Sequence, residues 1–231
     1  MEKDLILPEK FLLLAHHPRK GKFTDSRMSA DYVKYGVIGA IFLDLSLAGA
    51  IDLENKVIRV KGKKEGLYPE AEEILQRMQK SQKPRKAKYW IRKIGLRGNR
   101  YKKRMLQRME DQRLIRIEKK KFLGLIPYQK TYLLKPDQRH KMLLRLRNIV
   151  MGRQKADNEE AMLLGMIQAC RIHKILVQQK GEQKKIRQAL KQFIEENPIA
   201  GAVDQTLREI QSAILASIGA ASAASAASSS G

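Results

Sequence analysis

The residues best suited to chemistry are few and scattered. His16 and His17 are adjacent, and Cys170 and His173 stand at i and i+3. A structural zinc needs four nitrogen or sulfur ligands, and neither pair has a second pair at ligand spacing. His16–His17 therefore reads as a helix end, and Cys170 as a buried thiol beside a surface imidazole. Asp44 interrupts an apolar run, where burial would raise its pKa; the commoner role for such an acid is structural, paired to a neighbouring base. The chain has no Walker-type glycine loop, no G-x-S-x-G and no H-E-x-x-H. The expectation is a protein that is not an enzyme and that needs no metal or cofactor.

What stands out is charge. Lys83 to Arg108, KPRKAKYWIRKIGLRGNRYKKRMLQR, holds twelve Lys or Arg in twenty-six residues, no acid, and the only tryptophan, Trp90. From Arg77 to Lys121 there are 19 bases against 3 acids, so 16 of the 23 net positive charges come from 45 residues. A solvated helix surface usually carries both signs. One sign, concentrated here, points to an anionic partner, either a lipid headgroup layer or nucleic acid.

The elements that position these charges are mostly helical. Pro8–Glu9 opens a helix through Phe11–Leu14, and about Ser29 to Ala48 is apolar on nearly every side after Lys34, as in a buried central helix. AIDLENKVIRV alternates about E-N-K and reads as a short hairpin. A helix opening at Tyr68-Pro69-Glu70 carries Glu70, Glu72 and Glu73 in its first turn, where the helix dipole favours acids. Ala87, Trp90, Ile91 and Ile94 then form one stripe, and Tyr101, Met105 and Met109 another, each on a helix with basic residues on its other face. A second, longer hairpin follows, with its turn expected near Glu118 to Lys121 and Pro127 confining the return strand to an edge. Helices are expected over 136–150, 157–176, 182–194 and 204–220. The fold class is thus mainly α, a helical bundle around a buried central helix with two short β-hairpins. A single domain is expected over 1–220, followed by a low-complexity Ala/Ser tail over 221–231.

One cysteine forms no internal disulfide, and M-E-K-D-L-I-L-P lacks the apolar core of a signal peptide, so a reducing, cytoplasmic setting is expected. The Ala/Ser run from Ser212 to Ala227 is shorter than the ~20 apolar residues of a membrane span. A membrane role would be peripheral.

Four ordered segments resemble the Golgi phosphoprotein 3 family: LPEKFLLLA, GVIGAIFLDLSLAGAI, KPRKAKYWI and KFLGLIPYQKTYLL. The resemblance is closest over Leu5 to Leu146, extends to about Ile218, and is nearer to the shorter bacterial members. It implies a peripheral membrane protein that recognises phosphatidylinositol 4-phosphate, holds tails of membrane proteins, and self-associates through a protruding hairpin. The family's headgroup pocket uses a tryptophan and three arginines. Ungapped counting puts these at Ser29, Ile38, Asn99 and Lys102, so only the last keeps a charge, with Arg97 and Arg100 flanking Asn99 as substitutes. Trp90 belongs to a different segment.

Together these observations place a lipid-headgroup face at Arg97, Arg100, Lys102, Lys103 and Arg104. They place a self-association hairpin at Phe122, Leu123, Leu125, Ile126 and Tyr128, whose apolar residues on an edge hairpin call for a cover. The alternative is a nucleic-acid binder, since a basic helix followed by a hairpin is the winged-helix pattern, and it occurs twice here.

Overall fold

The computed structural model describes residues 4–201 apart from 24–29, 55–56, 63, 82, 123–124 and 198. Helix α1 (Leu7–Ala15) starts with Pro8 in its first turn, and the Glu9 carboxylate accepts the Ile6 N–H at 3.1 Å, satisfying a donor that the helix leaves orphaned. Helix α2 (Ala30–Leu47) runs through the middle of the molecule and packs against α1 and three later helices. Val33, Val37, Ile38, Ala40, Ile41 and Leu45 are all fully buried on it. Its approach to α1 is set by Gly36: a Cβ there would lie 2.3 Å from the Phe11 ring. The central buried helix expected from the apolar run is therefore present.

Strands β1 (Ile51–Glu54) and β2 (Val57–Val60) form the first hairpin, with Ile51 opposite Val60. Helix α3 (Pro69–Gln79) follows, and then β3 (Arg85–Lys86) joins β2 antiparallel and makes the sheet three-stranded. That third strand is absent from the sequence pattern. Helices α4 (Ala87–Gly95) and α5 (Gly98–Asp111) pack on α2, and their predicted stripes face inward: Ala87, Trp90, Ile94, Tyr101, Met105 and Met109 are buried.

The second hairpin pairs β4 (Ile115–Phe122) with β5 (Ile126–Leu133), from Ile115 opposite Leu133 to Phe122 opposite Ile126. The turn expected at Glu118 to Lys121 is thus displaced toward the far end. Those charged residues sit within the strand, opposite Lys130, Gln129, Tyr128 and Pro127, because an exposed two-stranded ribbon tolerates charge on its pleats. Pro127 costs little there, since each strand has only one neighbour. The ribbon's root is anchored by buried Ile115, Thr131 and Leu133, whereas Leu125 at its far end is 84% exposed.

Helices α6 (Pro136–Val150), α7 (Asn158–Ala169) and α8 (Gln183–Glu196) complete the described bundle. Asp157 caps α7 by accepting Glu160 N–H at 2.7 Å, while the Glu160 carboxylate accepts Asp157 N–H at 3.0 Å. The single helix expected over 157–176 is two elements. It stops at Ala169, Arg171 takes a left-handed backbone with φ 56°, and a 3-10 helix covers His173–Leu176. Mainly α with short hairpins describes this fold. The helix expected over 204–220 and the tail 221–231 lie outside the described residues.

Candidate anion-binding face

The junction of α4 and α5 carries the densest exposed charge. Two close approaches fix it against α2. A Cβ at Gly95 would meet the Tyr35 ring at 2.4 Å, and one at Gly98 would meet the Lys34 stem at 2.2 Å. Glycine at both positions lets the first turns of α2 press on the corner, and this brings Lys34 beside the start of α5. Sequence reasoning placed Lys34 only as the last polar residue before an apolar run.

Opposite the buried stripes, Arg92, Lys93, Arg97, Arg100 and Lys103 are exposed. Leu96, between the two helices, is 88% exposed. Along α4 and its C-cap, residues three and four apart are neighbours, so Arg92 and Lys93 lie beside Leu96, with Arg97 next to it in sequence. The Lys93 ammonium lies 5.6 Å from the Tyr89 ring centroid and 5.5 Å from that of Trp90, and donates to the Tyr89 hydroxyl at 3.4 Å, a cation held against two aromatic rings.

The other side of α5 behaves differently. Glu73 on α3 accepts hydrogen bonds from Arg77 at 2.8 Å, Arg104 at 2.8 Å and the Tyr101 hydroxyl at 3.1 Å, with Arg100 at 3.9 Å. Burial alone would raise its pKa, but the Tyr101 and Arg104 hydrogen bonds and the Arg100 and Arg77 charges hold the carboxyl below its ordinary value. Further along, Arg108 Nε and Gln112 Nε2 both donate to the fully buried Glu9 at 2.9 Å. Arg108 also lies 5.7 Å from the Tyr68 ring centroid.

The five residues selected from sequence thus divide. Arg97 and Lys103 point to solvent, Lys102 is half-buried, Arg104 is committed to Glu73, and exposed Arg100 lies at the edge of that cluster. Of the positions that the family resemblance assigns to a headgroup pocket, Ile38 is fully buried core and Asn99 is exposed, while Ser29 lies outside the described residues. In the sequence Glu73 reads only as an acid suited to a helix N-terminus, because its partners lie up to 31 residues away.

On the second hairpin, Leu125 and Tyr128 are exposed and Phe122 and Ile126 are paired strand residues; Leu123 lies outside the described residues. Elsewhere, His16 is buried. Its Nδ1 meets the Leu12 carbonyl at 2.6 Å and its Nε2 meets the Thr131 hydroxyl at 2.7 Å, an arrangement suited to the neutral Nδ1–H tautomer. Burial lowers its pKa to about 4. Asp44 accepts the Tyr68 hydroxyl at 2.9 Å and a hydrogen bond from the Leu7 backbone, with the Lys10 charge acting on it from nearby; burial outweighs these and raises its pKa to about 6. Cys170 is buried and His173 half-buried. Among the described residues no cluster of His, Cys, Asp or Glu is arranged to hold a metal, and no helix is long and apolar enough to cross a membrane.

Residues 7–210 match the sequence profile of the family described as Golgi phosphoprotein 3 (GPP34). No individual curated protein matches the chain.

Proposed function

Since the chain belongs to the Golgi phosphoprotein 3 family, we propose that it is a non-catalytic peripheral membrane protein that binds anionic phospholipid headgroups through the α4–α5 corner. The observation that carries this reading is Leu96, 88% exposed, with exposed Arg92, Lys93 and Arg97 beside it. An apolar side chain flanked by cations suits the boundary between headgroups and acyl chains, where burial of the leucine and attraction to phosphate act together. Each base held near an anionic leaflet contributes ~1 kcal/mol, so four or five suffice without a stereospecific pocket. Preference for phosphatidylinositol 4-phosphate over charge-matched lipid is expected to be modest, because Ile38 occupies a position where the family pattern has arginine and is packed in the core. Self-association through the β4–β5 ribbon and capture of membrane-protein tails complete the proposed role of a membrane adaptor.

Co-sedimentation of the wild-type chain with neutral liposomes, anionic liposomes and duplex DNA at physiological salt tests the reading. The expected result is binding to anionic liposomes alone, weakening as salt rises. Strong DNA binding with none to anionic liposomes would transfer the basic face to nucleic acid, with α5 and the ribbon as helix and wing.

A further inference from the structure

Two cavities open on either side of Trp90. The larger, about 380 Å³, lies between β2, the end of α3 and β3, with Arg59, Lys61, Lys83 and Arg85 on its walls and Ile58 and Met78 beneath. The smaller, about 180 Å³, is lined by Arg77, Lys80, Lys93 and Ile94. Trp90 lines both although it is only 2% exposed, and its indole N–H has no acceptor among the described residues.

Neither lining contains a carboxylate. Several of the cations are answered: Lys61 by Asp52 and Arg77 by Glu73, each at 2.8 Å, and Arg59 also has a partner. Lys80 and Lys83 have no ion pair among the described residues. Arg85 rests over the Tyr89 ring at 5.0 Å, which orients its guanidinium without neutralising it. Cations converging on a concavity with apolar walls raise the local potential for an anion far more than the same charges spread on a convex face. The larger volume falls within the range of small-molecule sites.

We propose that the larger cavity is a binding site, separate from the Arg92, Lys93, Leu96 and Arg97 corner, for a small organic phosphate bearing a phosphomonoester. Such a group carries about −1.5 to −2 charge and three acceptor oxygens. A planar guanidinium at Arg85 grips two of these oxygens and the Lys83 ammonium the third. The carbon body rests on Met78 and Ile58, and the indole N–H of Trp90 provides a further donor. The source of the phosphate is either a free metabolite-sized molecule or the terminal phosphate of a lipid.

Trp90 is the only tryptophan, so its fluorescence reports on the site. Titration of the full chain with glycerol 3-phosphate, against sodium chloride of matched ionic strength, should give a saturable change confirmed by calorimetry. The double variant Lys83→Glu, Arg85→Glu changes two exposed residues and should lower the affinity by about tenfold or more with an unchanged melting temperature. A variant with Arg92 and Arg97 changed to Glu, neither of which lines either cavity, should keep the affinity within about twofold, even where it binds liposomes more weakly, so failure of one site is separable from failure of the other. For a lipid source, glycerol 3-phosphate stays silent while vesicles of phosphatidic acid bind better than charge-matched phosphatidylserine, and that preference vanishes in the Lys83, Arg85 variant. No saturable response to either probe, or a response that the Lys83, Arg85 variant retains in full, would overturn the proposal.

Discussion

The two sides of α5 have similar sequences and different fates. On one side Arg77, Arg100 and Arg104 gather around Glu73, and Arg108 reaches the buried Glu9. On the other, Arg97 and Lys103 stand exposed, as do Arg92 and Lys93 of α4 beside Leu96, with no carboxylate against them among the described residues. A run of bases without an acid in sequence is therefore not a run without an acid in space. The first group fastens α5 to α3 and α1, and the second is available to a partner.

The largest effect should come from breaking the fastened side at its root. Glu9→Gln leaves Arg108 without its buried counter-charge, and removing one member of such a pair costs about 3 kcal/mol. Urea denaturation should show that loss, whereas liposome binding by the remaining folded protein should hardly change. A loss under about 1 kcal/mol would mean that Arg108 finds water instead and that the two sides are less distinct than their geometry implies.

Reversing the available side should have the opposite signature. With Arg92, Lys93 and Arg97 changed to Glu, the removed attraction is about 3 kcal/mol on the scale of ~1 per base, roughly a hundredfold in liposome affinity, at an unchanged melting temperature. Reversing Arg100, Lys102 and Arg104 instead sets new carboxylates against Glu73, so that variant should also melt earlier. Liposome binding preserved in the first variant would sink the proposed corner.

Leu96→Asn tests the apolar part of the same corner. Its expected cost is about 1 kcal/mol of binding, roughly fivefold. Salt distinguishes the two contributions, since charge is screened beyond ~8 Å at physiological ionic strength and hydrophobic burial is not. The Leu96 deficit should persist in salt that has already erased the difference made by the charge variants.

The smallest effect is a pH dependence hidden by cancellation. Buried His16, with its pKa lowered to about 4 from 6.5, binds fewer protons folded than unfolded, so it withdraws stability as pH falls from 6.5 to 4. Buried Asp44, with its pKa raised to about 6 from 3.8, binds more protons folded than unfolded, so it adds stability as pH falls from 6 to 4. The two slopes oppose each other over nearly the same window. Asp44→Asn should uncover the histidine: its melting temperature should fall on acidification from pH 6.5 to 4 more steeply than that of the wild type. Equal slopes in the two proteins would show that Asp44 does not titrate in this range.

The parts of this molecule that were legible in sequence are those written in local periodicity. The Trp90–Ile94 and Tyr101–Met105–Met109 stripes face inward because spacing alone decides which side of a helix is apolar. The β3 strand was not legible, as Arg85–Lys86 has no alternation and becomes a strand only because β2 offers an edge. The far end of the ribbon was misplaced because Glu118–Lys121 has the polarity of a turn, while register depends on pairing along the whole strand. The break after Ala169 had no glycine or proline to announce it; Arg171 itself takes the left-handed backbone. Glu73 escaped for a related reason: ion pairs across 31 residues are set by how α3 and α5 pack.

Three glycine contacts along α2 carry a consequence for how this chain tolerates mutation over time. Gly36 lies under Phe11, Gly95 under Tyr35 and Gly98 under Lys34, each so close that a methyl group would have to displace its neighbour. Neither member of such a pair drifts alone: a larger residue at 36 becomes admissible only after position 11 has shrunk. The ancestry of the α4–α5 corner should therefore show paired substitutions at 35 with 95 and at 34 with 98, a steric constraint that exposed Arg97 between them does not share.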